Sequence, residues 1–72
     1  MTKDQLLAFI KIRNASGFSS NLQFSIDAQE AGFDVAALGR AHRYEPGGYR
    51  WFTDHGELIE HPGGQMELVE TR

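Results

Sequence analysis

The chain has 72 residues, no cysteine and a formal net charge of −3, with 40% hydrophobic and 11% aromatic residues. That length holds one domain, residues 1–72. The lack of cysteine excludes disulfides and thiolate metal sites. The acidic balance argues against a general nucleic-acid coat or a binder of anionic membranes.

No apolar run approaches the ~20 residues that span a bilayer. The N-terminus lacks the basic-then-apolar pattern of a signal peptide. A soluble, cytoplasmic protein with no membrane partner is therefore expected. The charge is uneven along the chain. Residues 40–53 carry Arg40, Arg43 and Arg50 against Glu45, net +2, whereas residues 54–72 carry five acids against Arg72, net −4.

In chain order, Thr2 and Gln5 form the two ends of a capping box. Leu6, Phe9, Ile10 and Arg13 follow on one helical face, with an end expected near Asn14. Residues 14–21 read as a loop. Leu22, Phe24 and Ile26 alternate with Asn21, Gln23 and Ser25, which predicts a half-buried strand over 21–26. Asp27 and Glu30 predict a one-turn helix at 28–31, closed by Gly32 in a left-handed cap. A single helix over 28–43 is the rival reading. Asp34 is expected to cap a second helix, Val35 to Tyr44, with Phe33 and Leu38 as its hydrophobic staple.

Two near-identical breaks, Glu45-Pro46-Gly47-Gly48 and His61-Pro62-Gly63-Gly64, enclose Tyr49 to His61. Its aromatic and branched residues flank Asp54-His55-Gly56, the pattern of a β-hairpin. A three-residue turn would pair Thr53 with Glu57, Trp51 with Ile59 and Arg50 with Glu60. Pro62-Gly63 suits the centre of a type II turn. Met66 to Thr71 then forms a third strand, with Met66 and Leu68 on the Trp51 face. This is an α+β fold: N-terminal helix, strand, short helix plus helix, then a three-stranded antiparallel meander.

Ala28, Gly32 and Leu38 stand at a spacing that resembles the helix-turn-helix family. The element order resembles its winged form. The resemblance covers roughly Asp27 to His61. It implies 35–44 as a recognition helix and the 49–61 hairpin as a wing, with Arg40, His42, Arg43 and Arg50 facing DNA. The plainer view of Arg40 and Arg43 is a cationic last helical turn favoured by the helix dipole.

For chemistry the chain offers little. No Ser-His-acid arrangement, phosphate loop or metal-ligand spacing is present. A chain this short rarely encloses a cavity of several hundred cubic ångströms. No enzymatic activity, cofactor or metal is expected. Arg40, His42, Arg43, Tyr44, Tyr49 and Arg50 instead combine the residue types that dominate binding hot spots. The primary expectation is a small regulator, adaptor or inhibitor that binds another protein, of the size and charge common among phage and mobile-element products. DNA binding through the 35–44 helix is the alternative. The last strand would be a sheet edge, its glutamates guarding against aggregation or offering a surface for a homodimer.

Overall fold

In the computed structural model, which describes residues 1–17 and 20–70, two α-helices precede a four-stranded antiparallel sheet. Helix α1 spans Lys3–Ser16. Its capping box forms as the sequence predicts: Gln5 N donates to Thr2 Oγ1 at 3.1 Å, and Thr2 N donates to Gln5 Oε1 at 2.8 Å. Leu6, Phe9 and Arg13 are its buried residues. The helix runs two residues past Asn14, and only part of the expected 14–21 loop is a connection.

Helix α2 spans Asn21–Ala31, so the strand expected over 21–26 and the one-turn helix at 28–31 are one continuous helix. Ser20 Oγ caps it by accepting from Gln23 N at 3.3 Å. Period-2 alternation over six residues does not separate the two states. The longer spacing Phe24, Asp27, Ala28, Ala31 is a helical stripe. Asp27, Ala28 and Ala31 are buried, and Phe24 packs against the core. A charged residue at the centre of that stripe hid it. Gly32 ends α2 in the left-handed conformation, as expected, and Phe33 N bonds back to Ala28 O at 3.0 Å.

Asp34 does cap a helical segment, accepting from Ala36 N at 3.1 Å. That segment is only a four-residue 3-10 turn, Val35–Leu38. The helix expected to reach Tyr44 is not formed, because Gly39 leaves helical geometry at φ 73°, ψ −154°. His42–Arg43 is instead the first strand, β1. The recognition helix that a winged helix-turn-helix requires at 35–44 is thus replaced by a turn and a strand. Phe33 and Leu38 are nonetheless both buried in the core.

Strands β2 (Tyr49–Thr53), β3 (Gly56–Glu60) and β4 (Met66–Val69) complete a sheet of order β1-β2-β3-β4, one strand more than the expected meander. Thr71, the expected end of the last strand, lies outside the described residues. Tyr44 N donates to Gly48 O at 3.1 Å in the β1–β2 connection, which contains a cis Glu45–Pro46 peptide. The Pro62-Gly63 turn forms as expected, with Gly64 N bonded to His61 O at 3.0 Å and Gly63 at φ 98°.

The hairpin register differs by one residue from the expected one. Thr53 pairs with Gly56, Trp51 with Leu58 and Arg50 with Ile59. Thr53 Oγ1 stabilises the tight turn by donating to Gly56 O at 2.7 Å and accepting from His55 N at 3.1 Å. Gly56 therefore belongs to the strand rather than the loop. It is buried at φ 125°, and a Cβ there would overlap the Val69 carbonyl of β4. Glycine is demanded by both the backbone angle and the neighbouring strand.

The shift decides which side chains share a face. Trp51, Leu58, Leu68 and Met66 lie on the side covered by the helices, packed with Leu6, Phe9, Ala28 and Phe33. Phe9 sits at the centre, edge-on to Phe24 at 5.1 Å and to Phe33 at 5.2 Å. Asn14 ties α1 to the sheet: its side chain accepts from Met66 N at 2.7 Å and donates to Met66 O at 3.0 Å. Ile59 falls on the opposite face, contrary to the expected Trp51–Ile59 pairing.

Candidate functional site

With one face of the sheet covered by α1 and α2, the other carries the alternate residues of each strand. The β2–β3–β4 register aligns Arg50, Ile59 and Glu67 across it, with Phe52, Glu57 and Val69 in the next row. His42 joins from β1, opposite Arg50. Ile59 is only 4% exposed although no helix covers this face, so the neighbouring long side chains shield it. Phe52 is 55% exposed and Val69 is also exposed.

Phe52 is held between two rings of charge and π-density. The His42 ring meets it edge-on at 4.9 Å, and the Arg50 guanidinium lies over it at 5.0 Å. Arg50 Nη1 also reaches Glu57 Oε1 at 3.4 Å, a long contact. Arg50 Nε has no hydrogen-bond partner among the described residues. The guanidinium is therefore oriented by stacking; its Nε is buried, so only its Nη groups can meet another acceptor. Further along, the Tyr44 ring stands edge-on to His61 at 5.9 Å, and His61 Nε2 is 2.7 Å from Glu67 Oε1.

The six residues singled out from the sequence do not form one site. His42 and Arg50 share the outer face, paired across β1 and β2. Tyr44, two residues on from His42, meets the outer-face His61. Arg43 and Tyr49 pair with each other one step along, and so point to the other side. Arg40 is exposed in the segment before β1. Phe52, which completes the His42–Arg50 cluster, is not among the six residues expected from the sequence. Its position two residues after Arg50 on one strand was the available signal.

Tyr49 belongs to a second feature, a cleft of about 620 Å³ on the helix side of the sheet. So short a chain was expected only rarely to enclose a cavity of this volume, and the cleft is open to solvent rather than enclosed. Phe24 from α2 and Trp51 from β2 form its apolar wall, their rings 5.5 Å apart. Tyr49, 53% exposed, stands at its edge, and Arg13 and Glu60 supply charge.

Arg13 is 3% exposed and Asp27 1%. Arg13 Nη1 donates to Asp27 Oδ2 at 3.1 Å, Gln23 Nε2 donates to Asp27 Oδ1 at 2.8 Å, and the guanidinium stacks on Phe24 at 4.8 Å. Burying two charges is costly, and these hydrogen bonds and the stack offset that cost.

No known family model matches the chain, and no curated protein and no solved structure is significantly similar to it. No helix among the described residues is long and apolar enough to cross a membrane.

Proposed function

We propose that the protein is a non-enzymatic binding module that docks another protein on the open face of its sheet. The observation that carries this reading is the His42–Phe52–Arg50 cluster, in which an aromatic ring more than half exposed is held in place by its neighbours. Exposed aromatic and arginine side chains fixed before binding contribute most of the energy in protein interfaces, because little rotamer freedom remains to be lost. Arg50 makes only the long 3.4 Å contact to Glu57, and exposed Arg43 on β1 adds positive charge at the border of the sheet. The partner surface best suited to this face sets an acidic side chain against Arg50 and an apolar one against Phe52.

Strands of two, five, five and four residues, about 4.8 Å apart and rising about 3.3 Å per residue, offer roughly 250 Å² of face. A stable interface buries roughly 800 Å² on each partner. The partner must therefore reach beyond the face, and the β1 edge, which carries Arg43, is the basic side on which to do so. A second copy packed face to face falls short of that area. The alternative of duplex DNA loses its reading helix, since 35–44 is a turn and a strand.

The test begins with capture of a partner from cells, followed by titration calorimetry with that partner purified. Phe52→Ala and Arg50→Glu are each expected to weaken binding at least about tenfold, or ~1.4 kcal/mol. Arg50→Lys, which keeps charge but loses the planar stack, should fall between. Unchanged affinity in both Phe52→Ala and Arg50→Glu, with native circular dichroism, would remove this face from the function.

A further inference from the structure

The cleft on the helix side of the sheet has walls of aromatic carbon and a charge balance that favours one kind of occupant. Arg13 and Asp27 neutralise one another in a buried pair. Glu60 is left in excess: its carboxylate is 3.7 Å from Arg13 Nη2, too far for a hydrogen bond, and its side chain is 21% exposed. Among the described residues no hydrogen bond ends on that carboxylate.

Phe24, Trp51 and Tyr49 line the space; Arg13 already lies over the Phe24 ring at 4.8 Å, which leaves Trp51 and Tyr49 for an incoming cation. The amino end of α2 also borders the space through Asn21. Its dipole is worth about half an elementary charge, already met in part by the Ser20 cap. That is less than the full charge on Glu60. His61 borders the space, but its ring is engaged on the outer face with Tyr44 and Glu67. Arg43, beside Tyr49 on the neighbouring strand, is not among the lining residues.

An anion entering this space would meet Glu60 and the aromatic faces. A neutral apolar group would strip water from Glu60 without replacing it. A flat or tetrahedral organic cation gains from both the carboxylate and the rings. We propose that the cleft binds a guanidinium or alkylammonium group, its charge on Glu60 and its flank against Trp51 and Tyr49. The space of about 620 Å³ exceeds one such group, so room remains for the chain that bears it. This site lies on the face opposite the Phe52 cluster and is independent of it.

Trp51 is the only tryptophan and lines the cleft, so its fluorescence reports occupancy directly. Three probes decide the matter: methylguanidinium chloride, the peptide acetyl-Gly-Arg-Gly-amide, and the same peptide with uncharged citrulline for arginine. The arginine peptide should give a saturable change and the citrulline peptide none. Glu60→Gln, which keeps the shape of the side chain, should weaken the response at least about tenfold. Tyr49→Ala, at an exposed position, should weaken it less while leaving the fold intact by circular dichroism.

A response to methylguanidinium as well as to the peptide means that the free cation suffices. A response to the peptide alone means that a polypeptide supplies it. No saturable change from either cation at about 10 mM, where binding is worth under ~3 kcal/mol, would overturn the proposal. So would an equal response to the citrulline peptide, or an unchanged one in Glu60→Gln.

Discussion

The two faces of one sheet use the same kinds of residue for opposite ends. On the helix side, Trp51 and Leu58 are 7% and 0% exposed, and the aromatic rings of Phe9, Phe24, Phe33 and Trp51 follow one another in contact. On the open side Phe52 is 55% exposed and rests on His42 and Arg50. Charge divides likewise. Arg13 is buried against Asp27, whereas Arg50, 39% exposed, holds Glu57 at 3.4 Å. An aromatic ring or an arginine is thus enclosed where the helices cover it, and exposed where they do not.

The sharpest way to break this comparison is to remove one ring from each side. Phe9→Ala should cost about 3–5 kcal/mol, because the ring is fully buried and surrounded by side chains that cannot close the space. A domain of this size has little more stability than that to lose. Phe52→Ala should change stability by about 0.5 kcal/mol or less, in line with exposed sites. Urea denaturation of the two variants checks both. A loss of several kcal/mol on Phe52→Ala would make that ring part of the core, and its exposure would no longer point to a partner.

The buried ion pair offers the next largest effect. Asp27→Ala leaves Arg13 charged inside the protein without its nearest carboxylate, and about 3 kcal/mol should be lost. Replacing both residues with apolar ones of similar size, Arg13→Met with Asp27→Leu, should recover most of that loss. The comparison of single and double variants in denaturant separates the worth of the pair from the cost of breaking it. If the double variant is as unstable as the single, the pair is needed for the α1–α2 packing itself.

That pair also explains where the sequence misleads. The capping box, the Gly32 and Asp34 caps, the Pro62-Gly63 turn and the existence of the hairpin were legible because each rests on two to four adjacent residues. Helix α2 was not, since Asp27 sits where its buried stripe calls for an apolar side chain, and only a partner 14 residues away makes that position buried. The hairpin register was likewise set from a distance. Gly56 looks like a turn residue, yet its lack of a side chain lets β4 approach. Of the site residues, His42 and Arg50 were legible by type. That they share a face with Phe52, and that Tyr49 does not, depends on β1 being a strand. Gly39, which lies inside the helix expected over 35–44, is what ends the 3-10 turn before β1.

The smallest effect concerns Arg50 and Glu57, which face each other in the open. A double-mutant cycle on Arg50→Ala and Glu57→Ala should give a coupling of about 0.2–1 kcal/mol, as for other exposed pairs, and added salt should reduce it. The contact is long and uses one nitrogen of the guanidinium, so the low end is expected. Arg50 would then owe its orientation mainly to the Phe52 ring. Phe52→Ala should accordingly diminish the coupling further, because the freed guanidinium no longer stays beside Glu57. A coupling well above 1 kcal/mol would mean that Glu57 already holds Arg50 firmly. An acidic partner would then have to displace Glu57, and the open face would be a weaker docking surface than its exposed ring implies.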